Sequence, residues 1–169
     1  MKELKNEYIL IGDIGGTHAN LSIVQIIDIE NKKYKTLHSN SLCMSEYTSF
    51  ERVISDYLEE SFSKISSNDK AITLSTAIFA VAGIINNDEV KMSNTSFTLK
   101  KSKLMKQFSF KDVFLINDFR AISYSLEILP KKDIVPIHKP KGMNSKKLKT
   151  QNRVIVGAGT GLGVSLQMY

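Results

Sequence analysis

Gly12 and Asp13 close an apolar run that starts at Tyr8. Ile14, Gly15, Gly16 and Thr17 separate it from a second apolar run, Leu21 to Val24. Two glycines allow positive φ and let a bulky ligand approach the backbone. An Asp before them and a Thr after them suit a loop that holds phosphate through backbone N–H groups and a hydroxyl. A carboxylate at a strand end can also hold Mg2+, usually through water. The same residues read equally as an ordinary hairpin turn with a solvated Asp13, and this stretch alone leaves both readings open.

Two further groups of residues could do chemistry. Asn117 and Asp118 follow a short apolar run, Val113 to Ile116, and stand where open α/β sheets place their ligands. Asp118 in that position can take a proton from a substrate hydroxyl, or it can cap a helix beginning at Phe119. Gly157, Gly159, Gly161 and Gly163 form a second glycine-rich turn. They do not fit a dinucleotide fingerprint, since Leu162 and Val164 fall where a third glycine is needed. The chain carries no Walker A lysine pattern. His18, His38 and His138 are isolated and have no metal-ligand spacing. Cys43, the only cysteine, follows a strand and reads as packing rather than as a nucleophile.

The elements that must position these residues follow from periodicity. Residues 8–11 and 21–24 read as strands around the first turn, and residues 33–42 as a third strand. A helix is expected from Thr48, where Thr48 and Glu51 have capping-box spacing, to near Ser66. Its apolar face is Phe50, Val53, Ile54, Tyr57, Leu58, Phe62 and Ile65. Ala71 to Ala82 reads as a strand buried on both faces, and Glu89 to Met92 as a short strand. Ser93 to Ser96 reads as loop. A short helix covers Lys101 to Phe108, and Val113 to Ile116 is a buried strand. The next helix carries Phe119, Ile122, Leu126 and Leu129 along one face and stops at Pro130. Val154 to Val156 and Val164 to Met168 make a final hairpin. Hairpin-length links make the first three strands antiparallel, and helical crossovers make the later ones parallel. The expected fold is a mixed α/β sheet with helices on its faces.

Composition narrows the classes. The 169 residues suffice for one domain and little more. The 24% charged and 42% hydrophobic content is that of a soluble globular protein. The longest apolar run, Ala77 to Ile85, is too short for a bilayer. The polar start, Met1 to Glu7, is followed by no signal-peptide core. A lone cysteine excludes an internal disulfide, and a cytoplasmic location is expected. Of the net charge of +6, the segment from Pro130 to Arg153 carries +7, with eight Lys or Arg residues against Asp133 alone. That segment has prolines, Gly142 and Asn144 but no aromatic residue to stack on bases. It reads as a solvated linker loop, not a nucleic-acid site.

Taken together, five motifs resemble the bacterial glucokinase family. They are Gly-Asp-Ile-Gly-Gly-Thr at 12–17, Val-Ala-Gly at 81–83, Met-Ser-Asn at 92–94, Leu-Ile-Asn-Asp-Phe at 115–119 and Gly-Ala-Gly-Thr-Gly-Leu-Gly-Val at 157–164. They occur in the family's order and at close to its spacing. The resemblance implies the ribonuclease H-like fold of the sugar kinase, actin and heat-shock ATPase superfamily. The expected organisation is a small N-terminal domain over 1–129, a basic linker over 130–152 and the first hairpin of a larger domain over 153–169. It also implies a glycolytic kinase that uses ATP and Mg2+ to phosphorylate glucose. Asp118 then matches the base for the sugar 6-hydroxyl, and Asn94 and Asn117 match hydrogen-bonding partners of the sugar. Gly12, Asp13, Ile14, Gly15, Gly16 and Thr17 match the first phosphate loop, with Asp13 near Mg2+. Gly159, Thr160 and Gly161 match the second. Backbone donors, a metal and one base suffice for phosphoryl transfer.

The chain departs from the family's pattern at several points. His18 and Asn20 stand where Asn and Arg are usual, Ile84 follows Gly83 in place of Pro, and Phe97 replaces Trp. Family members also continue well past the second glycine loop, through a Glu-x-x-His sugar element and an adenosine pocket. The expectation is therefore the N-terminal part of a hexose kinase, inactive alone, or a non-catalytic sugar-binding module. An unpaired hairpin edge at 154–168 invites association between copies, with the chain ordered to about Leu129 and loosely held from Lys131 onward.

Overall fold

The computed structural model describes residues 7–65, 72–92, 97–138, 152–158 and 162–168. By compactness the chain divides after Asp118 into two units, Met1–Asp118 and Phe119–Tyr169. The helix after Asp118 thus groups with the final hairpin, whereas the sequence reading ends the first domain at 129.

In the first unit, three strands form a meander: β1 (Glu7–Ile14), β2 (His18–Asp28) and β3 (Lys33–Cys43). β1 pairs with β2 and β2 with β3, both antiparallel. The helix α1 (Phe50–Ile65) carries the chain to β4 (Leu74–Val81), which lies parallel to β1. After a small sheet and the helix α2 (Lys101–Phe108), β8 (Asp112–Asn117) lies parallel to β4. The resulting order is β3-β2-β1-β4-β8. Three antiparallel strands extended by parallel crossovers make a mixed sheet, as the hairpin and crossover lengths predict, and this is the arrangement of the ribonuclease H-like fold that the family resemblance implies.

The side chains of one sheet face build the core. Leu10, Ile14, Ala19, Leu21, Ile23, Ala77, Phe79, Val81 and Val113 are buried there, with Phe50, Val53, Ile54 and Tyr57 of α1 and Leu104 of α2. Phe50 meets Phe79 edge to face at 5.3 Å, a favoured arrangement of the ring quadrupoles. The Tyr57 hydroxyl donates to the His38 carbonyl at 3.1 Å, and the two rings stack. That fixes α1 against β3.

Three local expectations change. The cap of α1 is Ser49, whose hydroxyl accepts the Arg52 N–H at 3.3 Å, so the helix starts two residues after Thr48. β4 is not buried on both faces. Leu74, Ala77, Phe79 and Val81 are buried, whereas Ile78 and Ala80, on the opposite face, are half-buried. Two strands went unrecognised in the sequence: β5 (Gly83–Asn86) and β7 (Thr98–Lys100), which flank β6 (Glu89–Met92) in a three-stranded antiparallel sheet. Gly83 makes that sheet possible, because a Cβ there would lie 2.5 Å from the Lys91 carbonyl oxygen.

The second unit contains most of α3 (Asp118–Ser125) and the antiparallel hairpin of β9 (Arg153–Ala158) and β10 (Leu162–Gln167). The helical face expected from Phe119, Ile122, Leu126 and Leu129 packs only in part, through the half-buried Phe119 and Leu126. Ile122 and Leu129 are exposed, and the buried residue of α3 is Ser123. One hairpin face is half-buried, through Arg153, Ile155, Gly157, Gly163, Ser165 and Gln167. On the other face Val154, Val156, Leu162, Val164 and Leu166 are exposed. Among the described residues, no helix is long and apolar enough to cross a membrane.

Candidate functional site

The first glycine-rich turn joins β1 to β2 by the shortest route. Gly15 donates its N–H to the His18 carbonyl at 2.9 Å, and Met44 donates to the Thr17 carbonyl at 2.8 Å. The turn is thereby tied on one side to itself and on the other to the end of β3. The Gly15 N–H serves the turn, which leaves Gly16 and Thr17 at its apex. Gly15 does not take the left-handed backbone that glycine alone favours, so its lack of a side chain serves access rather than turn geometry. Gly12 has a different role. A Cβ on it would stand 2.7–2.9 Å from Leu21, Phe79 and Ile14, so its missing side chain makes room for the core. Strand alternation then turns Asp13 to the opposite face, where it is exposed. Its carboxylate accepts a hydrogen bond from the Asn20 Nδ2, directly across the hairpin, at 3.4 Å.

The register of the parallel strands brings the second group to the same end of the sheet. Ile14 pairs with Val81, and Val81 pairs with Asn117. The carboxyl ends of β1, β4 and β8 are therefore level, and ~10 Å separates the first from the third across two strand spacings. The turn at 15–17 and the Asn117-Asp118 pair follow directly from those ends. Asn117 and Asp118 are both half-buried. α3 begins on Asp118 itself, so this residue is not a cap preceding a helix that starts at Phe119. Its carboxylate lies in the first turn, where the helix's N-terminal dipole favours negative charge.

The remaining site expectations, Asn94 and Gly159, Thr160 and Gly161, lie outside the described residues. Among the described residues no three His, Cys, Asp or Glu side chains gather into a metal-binding group. His18 is exposed and pairs across the ladder with Cys43, whose thiol is free and lies 3.2 Å from the Ser45 hydroxyl. Gly83 has a structural role that the motif Val-Ala-Gly did not disclose; only its steric surroundings reveal it.

The profile of the family described as Glucokinase matches residues 10–169. The glucokinase of Tolumonas auensis is 32% identical over 159 residues, which cover 94% of this chain and 44% of that protein. Glucokinase from Escherichia coli K12 gives the same values. Among solved structures, a glucokinase from an Antarctic psychrotroph superposes with a TM-score of 0.75 at 25% identity, covering 96% of this chain and 46% of that one. A Balamuthia mandrillaris glucokinase solved with glucose shares the fold at 20% identity, with a TM-score of 0.69, covering 99% of this chain and 46% of that one. Fold and comparisons together define a ribonuclease H-like domain of the sugar-kinase class. The chain belongs to the glucokinase family. It spans somewhat under half the length of the relatives it matches.

Proposed function

We propose that this chain is the N-terminal part of an ATP-dependent glucokinase that forms glucose 6-phosphate in glycolysis. The observation that carries the reading is the level alignment of Ile14, Val81 and Asn117. It sets a phosphate-type turn and an acidic helix start at one end of one sheet. In this reading Asp118 accepts the proton of the sugar 6-hydroxyl. The freed oxygen attacks the γ-phosphorus of ATP, and the bond to the β-phosphate oxygen breaks to release ADP. Asn94 and Asn117 orient the sugar through its hydroxyls. Gly16 and Thr17, with residues 159–161, meet the phosphates. ATP as co-substrate carries a cytoplasmic location with it.

Mg2+ fits the residues present. Asp13 offers a hard, exposed carboxylate oxygen, and this ion is held by one or two carboxylates with water and phosphate oxygens completing its shell. Bound there through water, it would neutralise phosphate charge. Asn20 steadies the same carboxylate with a neutral amide.

That neutral amide also motivates a second reading, a sugar-binding sensor without kinase activity, since Asn20 brings no cation to the turn. The test is Asp118→Asn in the full-length protein. Kinase activity at the wild-type level in that variant removes Asp118 as the base. A fall in kcat by orders of magnitude with a smaller change in sugar affinity supports it. Calorimetry with glucose and with Mg-ATP separates the second reading, which requires sugar binding without nucleotide binding.

A further inference from the structure

Gly157 and Gly163 face each other across the β9–β10 ladder, and a single aromatic ring occupies the space above both. A Cβ on Gly157 would lie 2.7 Å from Phe119 Cζ, and a Cβ on Gly163 would fall inside the ring itself. No other residue type leaves room for the ring. The two glycines are a seat, and their lack of side chains is explained by Phe119 rather than by backbone conformation.

The turn that follows the helix is also fastened to the hairpin. Gln167 Nε2 donates to Glu127 Oε1 at 3.3 Å, and Arg153 Nη1 donates to Gln167 Oε1 at 3.4 Å. Phe119 and Ser123 are four apart and so share one side of α3, and Glu127 lies four further on, in the turn that follows the helix. Ser123, the middle one, is buried. The spans agree. Eight residues of helix rise about 12 Å, and the four strand residues from Gly163 to Gln167 cover about 13 Å. The helical segment therefore runs along β10 and is pinned at both ends.

We propose that Phe119 is a positioning residue for Asp118. The inference rests on the proposed function, in which Asp118 is the base. Asp118 is the first residue of α3, and the ring of the next residue fixes how that helix starts. Gly157 and Gly163 bracket residues 159–161 in the sequence. One ring thus ties the helix that carries the base to the hairpin that carries the second glycine-rich loop. A loosened seat lets Asp118 swing while the remaining sugar contacts stay intact, and the loss falls on turnover rather than on sugar binding.

The test compares Phe119→Leu, Phe119→Ala and Gly163→Ala in the full-length protein, with Asp118→Asn as control. Steady-state kinetics and hydrogen exchange are measured on the same preparations. A misplacement near 1 Å lowers rates about 100-fold. The expected result is a kcat loss of that order in Phe119→Ala and Gly163→Ala, with hexose KM within about twofold, and a smaller loss in Phe119→Leu. Amides 120–125 should exchange faster in the two severe variants. Adding Phe119→Ala to Gly163→Ala should cost nothing more, since the methyl then meets no ring. Wild-type kcat in both severe variants overturns the proposal, as does a loss shared equally by kcat and KM. If Asp118→Asn keeps wild-type kcat, the proposed function fails instead. Hydrogen exchange then decides the seat alone, and unchanged exchange of 120–125 in Gly163→Ala overturns it.

Discussion

Glu51 of α1 and Lys103 of α2 form an ion pair at 3.0 Å in which the carboxylate is buried and the ammonium exposed. Burial acts most strongly on the Glu51 carboxyl and pushes its pKa up. The hydrogen bond from Lys103, the backbone N–H, the Lys103 charge and the Ser49 hydroxyl together outweigh it, so the carboxyl titrates below its ordinary value of 4.5. A depressed folded-state pKa gives stability that is present above the unfolded value and drains away as pH falls through the folded one. Lys103→Met should therefore destabilise the chain at neutral pH by about 1–3 kcal/mol, the range for losing a hydrogen bond to a charged, buried group that keeps its other donors. The difference from wild type should shrink once acid protonates Glu51. Urea unfolding at neutral pH and near pH 3 measures both quantities; an equal difference at the two pH values would remove the pair as its cause.

Asp88 caps a helix to which it does not belong. α2 begins after Lys100, which makes no side-chain cap. The Asp88 carboxylate instead accepts the Ser102 N–H at 3.1 Å and the Ser102 hydroxyl at 2.6 Å, and these bonds lower its pKa. Asp88→Ala should lower the melting temperature and speed amide exchange over Ser102–Met105, with Asp88→Asn milder because it keeps an acceptor. The wild-type cap should fail on acidification, since its folded-state pKa is depressed. Amide exchange over Ser102–Met105 that is the same in Asp88→Ala and wild type would show that α2 needs no such cap.

Two glycines of the family motifs should respond oppositely to alanine. Gly83→Ala drives a methyl against the Lys91 carbonyl and should cost roughly 1–3 kcal/mol, the range for overpacked sites. Gly15→Ala meets only the His18 carbonyl at 3.4 Å and should stay within about 0.5 kcal/mol of wild type, while weakening nucleotide binding. Thermal unfolding of the two variants, with calorimetry of Mg-ATP binding to the full-length Gly15→Ala protein, checks the contrast; equal stability losses would count against it.

The exposed hairpin face should make this chain self-associate. Val156 and Val164 are direct register partners, each more than half exposed, with Val154 opposite Leu166 beside them. Contiguous apolar surface of this kind promotes association. Val156→Lys with Val164→Glu should shift the 169-residue chain toward monomer in sedimentation velocity at micromolar concentration. An unchanged distribution places the contact elsewhere.

β1 and β2 were legible as apolar runs around a glycine-rich turn, and β4 and β8 as short apolar runs between polar segments. α2 was read to its exact ends, since Lys101–Phe108 has clear helical spacing and polar flanks. β5 and β7 escaped because four and three residues cannot display a period. The capping-box spacing of Thr48 to Glu51 points to Thr48 as the start of α1, yet Ser49 receives the Arg52 N–H and Glu51 turns to Lys103. The Gly12–Thr17 stretch was legible as a turn, but its division of labour was not. The bare Gly12 makes room for the core and the bare Gly15 leaves access to the turn, and that distinction appears only when Leu21 and Phe79 come into contact range. The seat of Phe119 was equally hidden. Helical period grouped it with Ile122 and Leu129, whereas its true partners lie some forty residues along the chain.

β1 sits in the middle of its sheet although it comes first in the sequence. Its opening residue, Glu7, accepts a hydrogen bond from Ser75, 68 positions later, at 2.9 Å. A nascent chain can therefore zip β1, β2 and β3 together soon after they leave the ribosome, but the other edge of β1 stays bare until β4 has been synthesised. At 5–20 residues per second that wait lasts several seconds, long enough for a bare apolar edge to meet another chain. Aggregation during synthesis, rather than melting afterwards, is the hazard that this strand order carries.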